Sequence, residues 1–212
     1  MQLTADQVVV VFHDTDLMRI AGVGRRISEV PYNEIKAIDA GSWFSPEFEG
    51  ERIPSLAEVI AEARGRIKLN IELKSEDDHR RLAREVVETV RREGFHSQCV
   101  ITSLDYEGLL EVKRLDTELK TGFIAARAVG NITDLDADFL SVNSVLVNTE
   151  LLTAAKRARK DIHVWTVNDP RQMSAMIDRG VKNIITDEVD VLVALRKELS
   201  QLSDAERIIQ FS

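Results

Sequence analysis

A chain of 212 residues with 44% hydrophobic side chains can bury one sizeable core, enough for a single domain over 1–212. Its net charge of −8 leaves no basic footprint for nucleic acid, so an anionic substrate needs local positive charge. A single cysteine excludes an intrachain disulfide framework.

Residues 1–12 lack the basic, apolar and small-residue regions of a secretion signal, and no apolar run reaches the length of a membrane span. The expectation is a soluble chain in a reducing compartment, the cytoplasm. The first predicted strand is Val8–Phe12, and only a few residues around Thr4–Gln7 separate it from Gln2-Leu3. A parallel crossover needs a dozen or more residues, so this join must be a tight reversal.

From Leu17 to Ser55 the pattern breaks up around Gly22, Gly24, Pro31, Gly41, Pro46, Gly50 and Pro54. An irregular insertion at about 17–55 is expected, with a short helix at Tyr32–Ile38. Ser55 followed three residues later by Glu58 is a capping-box pattern that opens the next helix.

From Lys68 onward strands are expected at Lys68–Leu73, Cys99–Thr102, Leu119–Ile124, Asp138–Val142, Ile162–Val167 and Asn183–Thr186. Several are continuous apolar runs, as in sheets covered on both faces. Helices fall between them. His79–Glu93 carries Leu82, Ala83, Val86, Val87 and Val90 at helical spacing and stops at Gly94; a further helix starts at Pro170, and Leu151–Lys160 and Val189–Leu199 are similar. This is the rhythm of βα units in a parallel sheet.

The candidate chemistry sits at strand ends, where α/β barrels keep their sites. His13 and Asp14 follow the first strand; histidine suits proton transfer near neutral pH, but a strand-end His bonded to a loop looks the same. Glu72 and Lys74 end Leu69-Asn70-Ile71-Glu72-Leu73-Lys74 two residues apart, so a strand points both to one face. They read equally as an intrastrand ion pair or as a site in which Glu72 holds a hard cation and Lys74 meets a phosphate oxygen. Trp165 either lines a pocket or packs in the core. Asp187 is expected to cap a helix, Cys99 to be buried in its strand, and His79 and His96 to be solvated.

Taken in order, QLTAD and VVVVFHD at residues 2–14, Leu17 to Arg19, AGSWFSPEFEGERIPSL at 40–56, KLNIELK at 68–74, VWTVN at 164–168 and GVKNIITD at 180–187 resemble the glycerophosphodiester phosphodiesterase family. The resemblance implies an α/β fold, a (β/α)8 TIM-type barrel of the phospholipase C-like kind. It also implies a small glycerophosphodiester substrate, cleaved to sn-glycerol 3-phosphate and an alcohol. In that family two histidines act as acid and base, and His13 matches one. Glu72 matches a ligand of a divalent metal, Ca2+ or Mg2+; Lys74 matches a substrate-phosphate contact, and Trp165 an apolar patch beside the substrate.

The family's His-Arg-Gly and Glu-x-Asp motifs have no counterpart here, the position after that Asp being Met1. The expectation is therefore a barrel without its first βα unit, weakened metal binding, and exposed strand edges that favour self-association. A catalytically impaired remnant acting as a binding module is the rival reading. The details are most similar to bacterial members whose catalytic domain follows a membrane-embedded N-terminal region, which would tether a longer parent protein to the membrane.

Overall fold

The computed structural model describes residues 1–74, 78–127 and 130–201. The chain forms two compact units. One comprises Met1–Ile124 with Asp136–Asp138; the other comprises Ala125–Leu135 and Phe139–Ser212.

The first unit opens with β1 (Gln2–Leu3), which pairs antiparallel with β2 (Val9–Val10) in the register Gln2↔Val10 and Leu3↔Val9. The join is the tight reversal required by its length: Thr4 N donates to Val8 O at 3.1 Å and Gln7 N to Thr4 O at 2.9 Å. Gln7 takes φ 67° there. The regular part of the strand is shorter than Val8–Phe12 because its partner offers two residues. Beyond it, Val11 N turns to Pro54 O at 2.9 Å.

The segment expected to be irregular holds more order than its composition suggests. A hairpin of β3 (Asp16–Leu17) and β4 (Val23–Arg26) encloses the one-turn helix α1 (Met18–Ala21). Gly22 ends that helix at φ 68°, in the left-handed region that glycine enters freely. The short helix α2 (Tyr32–Ile35) falls inside the range expected for it. Leu17, Ile27, Val30, Ile35 and Ile53 fold under this segment with Val10 as a small apolar core.

α3 (Leu56–Ala63) starts on the capping box: Glu58 N donates to Ser55 Oγ at 3.3 Å and Ser55 N to Glu58 Oε2 at 2.8 Å. The βα repeat follows with β5 (Leu69–Leu73), α4 (His79–Arg92), β6 (Cys99–Ser103), α5 (Tyr106–Leu115) and β7 (Thr121–Ala125). β5, β6 and β7 are parallel neighbours, with Glu72 opposite Thr102 and Leu73 opposite Ser103. Leu82, Ala83, Val86, Val87 and Val90 bury one face of α4 against Ile71, Ile101, Leu109 and Val112. A Leu, Ile or Phe buried this way contributes about 1.5–3 kcal/mol. Cys99 is buried as expected, and burial pushes its thiol up to about 11.

The second unit continues the repeat with β8 (Phe139–Asn143), α6 (Thr149–Arg157), β9 (Asp161–Trp165), α7 (Pro170–Asp178), β10 (Asn183–Ile184) and α8 (Val189–Gln201). β8, β9 and β10 are parallel, in that order. Each helix from α4 to α7 begins on an Asp or Asn whose side chain accepts an amide of the first turn: Asp78, Asp105, Asn148 and Asp169. Among the described residues no helix is long and apolar enough to cross a membrane.

Candidate functional site

Three of the four residues singled out by the sequence meet in the first unit. His13 follows β2, and Glu72 and Lys74 stand at the end of β5. Lys74 Nζ lies 3.1 Å from His13 Nε2 and 3.7 Å from Glu72 Oε1. One lysine thus joins the two: the ammonium that faces Glu72 also reaches the histidine. Alternation on β5 produces this, since Ile71 and Leu73 are buried while Glu72 and Lys74 remain part-exposed.

A side-chain relay fixes the histidine. His13 Nδ1 is 3.0 Å from Asp14 Oδ1, and Arg19 Nε donates to Asp14 Oδ2 at 2.6 Å. The hydrogen bond from Arg19, with that of His13, holds the Asp14 carboxyl below the usual carboxylate range. A carboxylate only accepts, so Nδ1 is assigned the imidazole proton, and Nε2 keeps a lone pair that accepts from the Lys74 ammonium. The relay extends outward, because the Arg19 guanidinium lies 4.2 Å from the Trp43 ring centroid.

The backbone is also held. Gln2 Nε2 donates to Phe12 O at 3.2 Å and to Asp14 O at 2.6 Å, bracketing His13 from β1. Lys74 N donates to Met1 O at 3.1 Å, and the Met1 amino group donates to Glu72 O, so the chain start runs beside β5. Gln2, Arg19 and Trp43 were not singled out one by one in the sequence. The only signal for them is that they fall inside the stretches that carry the family resemblance.

The donor set does not make a complete metal centre. Among the described residues no group of three or more His, Cys, Asp or Glu side chains gathers in a metal-binding arrangement. Glu72 offers a single carboxylate, already faced by the Lys74 ammonium. Hard cations take six or more oxygen ligands, so these residues alone do not fit one.

Trp165 lies in the second unit, at the end of β9. It is half-buried, and among the described residues its indole N–H is buried without an acceptor. Close after it in sequence, Asn168 binds the end of the other matched motif: its Nδ2 donates to Asp187 Oδ2 at 2.9 Å, and its Oδ1 accepts from Thr186 Oγ1 and Asp187 N at 3.0 Å each. Asp187 is therefore engaged with Asn168. The remaining histidines have partners too. His79 faces Asp105 at 3.3 Å and His96 faces Asp116 at 3.1 Å, rather than solvent alone. His163 stacks on Phe139 with ring centroids 4.0 Å apart, and burial lowers its pKa.

Comparison with known proteins places this arrangement in context. The family model described as the glycerophosphoryl diester phosphodiesterase family matches residues 1–191. A glycerophosphodiester phosphodiesterase of Caldanaerobacter subterraneus subsp. tengcongensis is 30% identical over 200 residues, covering 92% of this chain and 82% of that protein. Among solved structures, an Oleispira antarctica phosphodiesterase in complex with the product sn-glycerol-3-phosphate superposes with a TM-score of 0.84 at 24% identity, covering 92% of this chain and 82% of that one. A glycerophosphodiester phosphodiesterase from Parabacteroides distasonis gives a TM-score of 0.80 at 27% identity, covering 93% of this chain and 82% of that one. The fold is accordingly the α/β, (β/α)8-type fold of these proteins, and each of the two units carries three of its parallel strands. By sequence over nine-tenths of its length and by fold, the chain belongs to the glycerophosphoryl diester phosphodiesterase family, whose members are phosphoric diester hydrolases.

Proposed function

We propose that this chain hydrolyses glycerophosphodiesters, releasing sn-glycerol 3-phosphate and an alcohol. The observation that carries the reading is the His13–Lys74–Glu72 cluster, in which a histidine oriented by Asp14 presents Nε2 beside an ammonium. Lys74 supplies a point charge for a phosphate oxygen, and a phosphate drawn to it lies within reach of His13 Nε2. His13 Nε2 then takes or returns the proton that moves between the attacking oxygen and the leaving alkoxide. Asp14 keeps the proton on Nδ1 and the ring in place, while Arg19 keeps Asp14 ionised and aimed. Trp165 is read as an apolar contact for the substrate. A divalent ion such as Ca2+ or Mg2+, if supplied with further ligands, would offset developing negative charge.

Release of glycerol 3-phosphate from glycerophosphocholine, followed in a coupled assay with Ca2+ or Mg2+ present, tests this. His13→Ala should lower kcat about 100-fold or more. Lys74→Ala should act mainly on KM. Equal rates for wild type and His13→Ala would remove the assignment.

The absence of a cluster of three or more metal ligands among the described residues favours a second reading, a catalytically impaired chain that binds the diester without turning it over. Metal-dependent turnover by the chain itself, abolished by a chelator and restored by the ion, would reject that alternative.

A further inference from the structure

The insertion carries an exposed aromatic ledge. Trp43, Phe44 and Phe48 are 46%, 69% and 43% exposed, whereas every other aromatic side chain among the described residues is buried or half-buried. The three rings lie against one another: Trp43 meets Phe44 edge-on with centroids 5.7 Å apart, and Phe44 is tilted on Phe48 at 5.6 Å. A loose loop would fold such rings inward, but this loop is fixed. Asp39 accepts the amides of Gly41, Ser42 and Gly50, Phe44 N donates to Gly41 O at 2.9 Å, and Phe48 N donates to Ser45 O at 3.0 Å. Holding contiguous rings in water costs free energy, and such a surface on a folded chain marks a docking face.

The chemistry around the ledge selects the occupant. The Trp43 indole N–H donates to Ala40 O at 2.8 Å, and Ser42 Oγ donates to Asp39 Oδ2 at 2.7 Å. These donors are satisfied within the loop and lose nothing in an apolar medium. What remains is ring area, which suits acyl chains better than a peptide backbone that needs hydrogen-bond partners of its own. Charges of both signs flank the rings. The Arg19 guanidinium, whose Nε is held by Asp14, lies 4.2 Å from the Trp43 ring centroid, while Glu47, Glu49 and Glu51 are exposed on either side of Phe48 in the chain. Arg52 turns back to Ala37 O at 3.2 Å. With these acids on a chain of net charge −8, an anionic surface is disfavoured. A zwitterionic headgroup layer instead supplies a phosphate for the guanidinium and an ammonium for the carboxylates. We propose that the ledge docks the chain onto a zwitterionic lipid surface, with Trp43, Phe44 and Phe48 entering the boundary between headgroups and acyl chains. Through Arg19 and Asp14 the ledge is joined to His13, so docking holds the His13–Lys74–Glu72 cluster at the membrane–water boundary. Docking of this kind is independent of turnover at His13 and is tested by binding alone.

The full 212-residue chain is mixed with phosphatidylcholine vesicles and sedimented. It should pellet with them at low and high salt alike, because ring burial is not screened. Phe44→Ser, at a position exposed enough to leave the melting temperature unchanged, should lower the partition coefficient at least about tenfold, the loss expected for one buried Phe. Ile67→Ser, at a residue 61% exposed elsewhere in the same unit, should leave partition unchanged. Bromine atoms on the acyl chains should quench the emission of wild type but not of Trp43→Phe, which keeps only Trp165. Replacing part of the phosphatidylcholine by phosphatidylglycerol should weaken partition. Failure to pellet, equal partition of wild type and Phe44→Ser, or binding that requires phosphatidylglycerol would overturn the proposal. So would a dimer, formed without lipid, that Phe44→Ser dissociates, since the ledge would then be an interface between two copies of this chain.

Discussion

Two stretches of the first unit reach an ordered state by different routes. The βα repeat from β5 to β7 is held by a property of the pattern. Apolar positions recur at strand and helix periods, and parallel ladders satisfy the backbone. The insertion between Leu17 and Ser55 is held by individual residues. Asp39 alone accepts the amides of Gly41, Ser42 and Gly50 at 2.9, 3.0 and 3.1 Å, which holds its carboxyl far below the usual range. Trp43 Nε1 donates to Ala40 O at 2.8 Å, and Arg52 reaches Ala37 O at 3.2 Å. The repeat should therefore tolerate conservative substitution, whereas the insertion should fail at single positions. Because Arg19 links the insertion to Asp14 and thus to His13, that sensitivity bears on the site.

The sharpest test of this contrast is Gly41→Ala. A Cβ at Gly41 would stand 1.9 Å from the Phe48 carbonyl oxygen, so the loop must rearrange. We expect a loss of about 2–3 kcal/mol in chemical denaturation, with amide protection lost in the insertion but kept in α4 and β6. Protection lost equally in both stretches would break the distinction.

Asp116, in the repeat, is the converse case. Burial would raise its pKa, but hydrogen bonds from Glu118 N, Arg91 and His96 outweigh burial and lower it. A carboxylate with a depressed folded pKa adds stability above its unfolded value, about 3.9, and loses that stability as pH falls through the folded value. Asp116→Ala should cost about 2 kcal/mol at neutral pH, and the difference from wild type should shrink in urea titrations below about pH 4. A pH-independent difference would contradict this.

At the junction of the two stretches, Ser55→Ala removes one half of the capping box and should cost about 1 kcal/mol. Asp39→Ala is expected to act on the insertion alone. It should accelerate hydrogen exchange at Gly41, Ser42 and Gly50 while leaving the β5–β6 ladder unchanged.

The same contrast explains what could be read from the sequence. The six parallel strands and the helices α4, α6 and α7 between them were legible because each buries a face, and burial leaves a period; the strand ends moved by at most two residues, and the end of α6 by three. β10 kept only Asn183–Ile184 of Asn183–Thr186, because Thr186 turns its hydroxyl to Asn168. The β3–β4 hairpin was not legible. Its strands are two and four residues long, and β4 is exposed throughout, so no alternation marks it. In the candidate site, His13, Glu72 and Lys74, which the structure brings together, could be singled out because strand ends collect polar residues in an otherwise apolar pattern. The clamp from Gln2 and the relay through Arg19 to Trp43 depend on side-chain reach across the hairpins, which one-dimensional spacing does not encode.

The buried thiol of Cys99 turns the βα repeat into its own stopwatch. Thiol reagents attack the thiolate, and here a buried group pushed up to about 11 sits at the first residue of β6, opposite Leu69 in the parallel ladder. Labelling is expected to wait until the start of β6 opens beside β5. Since the chain has one cysteine, the rate of modification of the unaltered protein counts those openings with no background. Repeated with a phosphodiester added, the same clock would register whether occupancy at the end of β5 slows the breathing of the strand beside it.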